Sequence, residues 1–289
     1  MKLYIHAGCH KTGTTAFQYF CSHYSSQILK YKIYYPKHSS HQHSYLAHDV
    51  LNGEFTSTSK VIQEAKLLKV DTLLLSGEDF ENCLVDINFA KRVEAIAQKE
   101  GIEEITWIFV VRDAFDYFES LYAELSIHGI INNYSDMANS ILNHGYFSAT
   151  NSVYNYIFAF DHNHFLNEFR KNITTHVETL TFKAFTHSFP GASILSWFIP
   201  RDHIDEMIRN FPPNKANNNA RLSELEVELQ YIYNFFGYSE ENVNSLKKLI
   251  FAHFAKLRLR RKANMRNHLK AEFEKVFTLD LSKVHTRSN

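Results

Sequence analysis

The apolar run Leu3–Ala7 feeds directly into Gly8-Cys9-His10-Lys11-Thr12-Gly13-Thr14-Thr15, and a helix-like segment with two hydroxyl residues at its start follows. This order of strand, glycine-bounded loop and helix constrains the fold more than any other stretch of the chain. Backbone N–H groups of such a loop, together with the N-terminus of the helix it opens, converge on an anion and suit a phosphate.

The position of the lysine then separates two chemistries. The phosphate loop of ATPases and kinases reads G-x-x-x-x-G-K-[ST], with lysine directly after the second glycine. Here Gly8 and Gly13 keep the four-residue gap, but Thr14 follows the second glycine and Lys11 comes two residues before it. A loop of this kind lacks the standard lysine clamp of those enzymes.

Four short apolar or β-branched runs with little alternation read as buried parallel strands: Leu3–Ala7, Thr72–Ser76, Ile105–Val111 and Thr174–Val177. Helical spacing of apolar residues lies between them, over Ala16–Leu29, Val61–Lys69, Ile87–Lys99 and Phe115–Ile127. The alternation implies an α/β fold with a central parallel sheet flanked by helices in three layers and joined by right-handed crossovers. Ligands of such sheets sit at the carboxyl ends of the strands, and Lys11, Glu78 and Arg112 all follow closely on strand ends. Farther on, Phe211-Pro212-Pro213-Asn214 breaks the chain. Amphipathic helices are expected over Leu222–Phe236 and Asn244–Leu259, with a shorter one over Met265–Val276, and Ser223-Glu224-Leu225-Glu226 approximates a capping box. Residues 1–289 are expected to form a single domain, an α/β core to about residue 200 with a helical C-terminal cap over about 201–289.

The second informative stretch runs from Trp107 to Ser120. A buried strand ends in Arg112, a helix opens near Asp113 or Asp116, and Ser120 falls eight residues after the arginine. A phosphate monoester is well served by a guanidinium fork and a hydroxyl donor.

Together these residues resemble the PAPS-dependent sulfotransferases, in particular a bacterial, glycan-type group. Lys11-Thr12-Gly13-Thr14-Thr15 is similar to their K-[ST]-G-T-[TS] loop for the 5′-phosphosulfate, and Arg112, Asp116 and Ser120 match their R-[ND]-x-x-D-x-x-x-S segment for the 3′-phosphate; Ala114 stands where many members carry proline. The resemblance implies a P-loop fold and transfer of a sulfuryl group from PAPS to an acceptor hydroxyl, on a carbohydrate or surface glycan, with adenosine 3′,5′-bisphosphate released and no metal required. It implies that His10, Lys11, Thr12, Gly13, Thr14, Thr15, Arg112 and Ser120 bind the nucleotide. Amides from Lys11 to Thr15 would cradle the 5′-phosphate, and Lys11 would neutralise charge on the oxygen bridging phosphorus and sulfur.

Sulfuryl transfer needs a base for the acceptor's proton. Glu78, in Leu75-Ser76-Gly77-Glu78-Asp79-Phe80, resembles the L-S-S-E-D/N-F segment of the bacterial group. His43, before Leu46-Ala47 and after Tyr35-Pro36, resembles a histidine of the same group, and the choice between the two stays open. Lys215, Asn217 and Arg221 are weaker candidates for cofactor or substrate contact. Arg258-Leu259-Arg260-Arg261-Lys262 is a local basic run, read as a solvated helix face or a contact to an acidic glycan.

Acidic and basic residues balance at 31 each, so no global basic field invites nucleic acid. The three cysteines, Cys9, Cys21 and Cys83, show no C-x-x-C pattern and signal neither a disulfide framework nor a zinc site. Apolar runs such as Trp107–Val111 are too short to span a bilayer. With the first strand at the start of the sequence, a cytoplasmic protein without a signal peptide is expected. Two rival readings remain, a P-loop nucleotide or small-molecule kinase and a non-catalytic glycan-binding relative of the fold.

Overall fold

The structure, a computed structural model, describes residues 1–130, 133–150, 155–212 and 222–278. Its described residues fall into two compact units, one drawn from 1–112 and 162–212 and the other from 113–161 and 222–278.

The first unit is built on a five-stranded sheet of β1 (Lys2–His6), β2 (Ile33–Tyr34), β3 (Thr72–Ser76), β4 (Glu104–Val111) and a last strand, His176–Thr181. All neighbours are parallel and the order is β2, β3, β1, β4, then His176–Thr181. The register aligns Ile5 with Leu75 on one side and with Trp107 on the other. Every residue of β3 is buried, as expected of a strand covered on both faces. Before β4 this unit holds the α-helices α1 (Thr14–His23), α2 (Ser25–Leu29), α3 (Ser44–Leu51), α4 (Thr56–Leu67) and α5 (Ile87–Lys99). The central α/β arrangement therefore agrees with the expectation from the sequence.

From β1 the chain goes on to β2 at one edge of the sheet and from β4 to His176–Thr181 at the other, so the direction of connection reverses between β1 and β4. The crevice between two such strand ends is where open α/β sheets take ligands.

One strand expectation needs correcting, and one strand was not expected. The last parallel strand lies at His176–Thr181 and not at Thr174–Val177. Its buried Glu178 accepts from His176 at 2.8 Å, and its buried Thr179 accepts from Arg170 at 2.7 Å, so polar partners replace the apolar run that would have announced it. The two-residue β2 is too short to carry a pattern of its own.

The second unit contains α6 (Ala114–Ile127), α7 (Tyr134–His144) and the antiparallel pair β5 (Tyr146–Thr150) and β6 (Asn155–Ala159). In the first unit, the segment preceding the last strand is α8 (His162–Asn172), and that strand, His176–Thr181, is β7; α9 (Phe182–Thr186), α10 (Ala192–Leu195) and α11 (Arg201–Arg209) follow. The second unit resumes with α12 (Glu224–Phe235) and α13 (Ser245–Val276). Asp113 caps α6 by accepting from Asp116 N–H at 2.9 Å, and α12 carries the full Ser223–Glu226 capping box. The two helices expected over Asn244–Leu259 and Met265–Val276 are one 32-residue helix. No glycine or proline interrupts the polar stretch between them, and Lys262 within it is buried, with its ammonium over the rings of Tyr122 and Tyr134 at 5.4 and 5.0 Å.

Candidate functional site

The loop after β1 stays zipped to β4. Ala7 N–H donates to Ile108 O at 2.9 Å, Cys9 N–H to Val110 O at 3.0 Å, and Val110 N–H to Gly8 O at 2.5 Å. Gly8, Lys11 and Gly13 all have positive φ, at 93°, 59° and 86°. Two of these three left-handed positions are glycine, which carries no Cβ penalty there. Between them the buried Thr12 hydroxyl donates to Cys9 O at 2.6 Å and closes the turn. Gly13 occupies the N-cap of α1, and Thr14, its first residue, is buried whereas Thr15 is exposed. The first N–H groups of a helix have no acceptor within it, so this N-terminus presents donors of the kind an anion takes.

Arg112 follows β4 and reaches back to the same loop. Its Nη1 donates to Lys11 O at 2.8 Å, and its guanidinium lies 4.9 Å from the centre of the Phe182 ring. The two basic residues singled out 101 positions apart thus meet at the carboxyl ends of adjacent strands. Ser120 sits in the second turn of α6, half-buried, in the other unit.

The tip of β3 supplies carboxylates. Gly77 is required there by close approach, since a Cβ would lie 2.8 Å from Ser44 N. A short 3₁₀ helix, Glu78–Leu84, then presents Glu78, Asp79 and Glu81 in one turn. His10 is the hub. Its backbone N–H and its Nδ1–H each donate to Glu81 Oε2 at 2.8 Å, while its Nε2 lies 3.4 Å from Asp79 Oδ1 and 3.9 Å from Glu78 Oε2. Burial opposes protonation of His10, but the hydrogen bonds to Asp79 and Glu81 and the charge of Glu78 outweigh it and raise its pKa well above the ordinary histidine value. Burial likewise disfavours the Asp79 carboxylate, yet the bonds from His10 and His48, the latter at 3.0 Å, hold its pKa well below the usual range. Glu81 is fully buried, whereas the Glu78 side chain keeps 21% of its surface exposed. Of the three, Glu78 is the carboxylate best presented to an incoming group.

The structure places two expected site residues differently from a simple reading. His10 spends its backbone N–H on Glu81, so it acts as a cation tying the β1 loop to the β3 tip. His43 is fully buried; its Nδ1 accepts from Ser76 N–H at 2.9 Å, its Nε2–H donates to Pro36 O at 2.8 Å, and its own N–H donates to Ser76 O at 2.7 Å. Both ring nitrogens are thereby committed to backbone, and burial pushes its pKa down to about 4. His43 is built as a clamp between its loop and β3. Sequence reasoning missed Glu81 and His48, because nothing in the spacing links Glu81 to His10 or His48 to Asp79. Cys9 is buried with Sγ 3.4 Å from His162 Nε2, and burial, reinforced by Glu81, raises its thiol pKa well above the free value, so it is no nucleophile. Lys215, Asn217 and Arg221 lie outside the described residues.

No known family, curated protein or solved structure matches this chain.

Proposed function

We propose that the chain is a PAPS-dependent sulfotransferase that transfers a sulfuryl group to an acceptor hydroxyl, with a carbohydrate or surface glycan as the acceptor class that the resemblance suggests. The observation that carries this reading is the Arg112 Nη1 to Lys11 O hydrogen bond of 2.8 Å, which puts the two basic strand tips within reach of one doubly phosphorylated nucleotide. The donor set suits such a group: a guanidinium, a flexible ammonium, a helix N-terminus with two threonines, and a glycine-permitted turn. When bound, PAPS supplies the activated sulfuryl group.

The residues of this chain then have separable tasks. The Lys11–Thr15 segment holds the 5′-phosphate end, and the Lys11 ammonium offsets negative charge that builds on the departing side. Arg112 holds the 3′-phosphate; the role of Ser120 rests on the sequence resemblance alone. Glu78 takes the proton of the attacking hydroxyl, while His10, held by Glu81 and Asp79, fixes the β3 tip against the β1 loop.

Calorimetry with adenosine 3′,5′-bisphosphate tests the reading. Wild type is expected to bind without added metal, and Arg112→Ala to lose roughly 2–4 kcal/mol, as for removing one member of a desolvated charge pair. Equal affinity in the two proteins refutes the phosphate assignment, and a preference for ATP with Mg²⁺ would point to a phosphotransferase. Glu78→Gln is expected to bind the nucleotide normally and to lose turnover.

A further inference from the structure

The chain is neutral overall, yet its charge is unevenly placed. From Ser245 to Lys262, α13 carries seven lysines and arginines, and its first acidic residue is Glu272. The basic run noticed in the sequence is only partly a solvated face. Arg258 and Lys262 turn inward, with Arg258 Nε donating to the buried Glu228 at 2.8 Å and its guanidinium 3.6 Å from the Tyr231 ring centre. Lys248, Lys256, Arg260 and Arg261 remain exposed.

Among these cations runs an uncovered apolar stripe. Leu246, Leu249, Ile250, Phe254 and Leu257 recur at three- and four-residue steps, so they share one helix face. All five are exposed, Leu249 by 71% and Leu246 by 68%. Phe235 and Phe236, at the end of α12, are exposed by 59% and 53% and continue the same surface, since Phe236 stacks on Phe251 of α13 at 5.3 Å. Between the two helices an apolar cavity of about 240 Å³ is lined by Phe235, Phe236, Phe254 and Leu257, with Arg258 at its edge. Farther along the same seam a second cavity of about 60 Å³ is lined by Arg258, Arg261 and Lys262.

We infer that this outward face of α12 and α13 binds the surface of an anionic lipid bilayer. The leucines and phenylalanines enter the boundary between headgroups and acyl chains, and the surrounding lysines and arginines meet the headgroup charge. A helix with bulky apolar residues on one face and cations beside them is the standard form of an interfacial anchor, in which neither the apolar nor the electrostatic part suffices alone. Charge selects this occupant over a second copy of the chain, because pairing two such faces would bring their cations together. No described helix is long and apolar enough to cross a membrane, so the contact is one of lying on the surface.

Co-sedimentation with large unilamellar vesicles tests this. The full chain is expected to pellet with vesicles of equal parts phosphatidylcholine and phosphatidylserine, to stay in solution with pure phosphatidylcholine, and to be released by salt. Arg260→Gln should weaken binding roughly fivefold, the share of one cation near an anionic surface, and Leu249→Asp should abolish it. Leu67→Asp, at an 82% exposed leucine on α4, serves as the control and should change nothing. Indifference to phosphatidylserine, or full binding by Leu249→Asp, overturns the inference. So does a concentration-dependent dimer in the absence of vesicles that Leu249→Asp dissolves, and so does saturable capture of an acidic protein in place of vesicles.

Discussion

The sheet unit and the helical unit each bury carboxylates, but they gather the partners differently. In the sheet unit Glu94 accepts from the Trp107 indole at 2.9 Å and from the Thr175 hydroxyl at 2.5 Å, donors that are neutral and come from separate strands and loops. In the helical unit Glu228 faces Arg258 at 2.8 Å and Glu119 faces Arg266 at 2.5 Å, with Tyr122 and Tyr134 as second donors. Both arginines belong to α13, and Lys262 lies midway between them. A sheet collects its buried donors through topology, one from each crossing segment. A long helix collects them by period, so that one stretch of sequence carries most of the charge pairing and a change there is felt along its whole length.

The same substitution in both units should expose this difference most strongly. Glu228→Gln leaves Arg258 without its carboxylate and is expected to cost roughly 3 kcal/mol, the lower end for breaking a buried pair because Arg258 is partly exposed. Glu94→Gln keeps a carbonyl acceptor for the Trp107 N–H and should cost about 1 kcal/mol. Chemical unfolding of both variants measures the contrast, and similar losses would erase it.

A pH series probes the neutral side of the comparison. The folded-state pKa of His43 is about 4, below its ordinary value of 6.5, so the unfolded chain binds the extra proton first. The stability that His43 contributes is therefore complete above pH 6.5 and is lost as the pH falls toward 4, by up to roughly 3 kcal/mol. NMR titration of the His43 ring checks the assignment directly; a midpoint near 6.5 in the folded protein would refute it. His10 has the opposite sign, because its pKa is raised: its contribution is present below pH 6.5 and fades as the pH rises through the raised value.

The last contrast is steric. Gly191 and Gly237 both have positive φ, at 79° and 69°. A Cβ on Gly191 would fall 2.0 Å from the buried Phe17 ring, whereas one on Gly237 would meet nothing within 4 Å. Alanine at either site bears the left-handed backbone strain of about 1 kcal/mol, and alanine at 191 should lose about 2 kcal/mol more through overpacking. Equal melting temperatures for the two variants would show that the Phe17 region yields freely.

How much of this was legible in the sequence follows from the kind of signal involved. Thr72–Ser76 and Ile87–Lys99 were readable to the residue, because a buried strand and an amphipathic helix each write their period directly into the chain. The end of β7 was not, because its buried Glu178 and Thr179 look like surface residues until their partners are known. The unbroken course of α13 was hidden in the same way: Arg260, Arg261 and Lys262 fall between the two expected helices, although one helix passes straight through them. At the site, Lys11, Glu78 and Arg112 could be picked out because each follows a strand. The fixing of His10 by Glu81, 71 residues away, exists only once β1 and β3 are paired.

Because β3, β1 and β4 run side by side in one direction, their tips form a row with steps of about 4.8 Å. Along that row the character changes in order, from the acid Glu78 through the ammonium of Lys11 to the guanidinium of Arg112. On the proposed function, a nucleotide laid across that row would meet this polarity, with its phosphates toward Lys11 and Arg112 and the acceptor hydroxyl toward Glu78. The orientation of the proposed ligand along this row would then follow from strand order itself, before a single shape-specific contact is made.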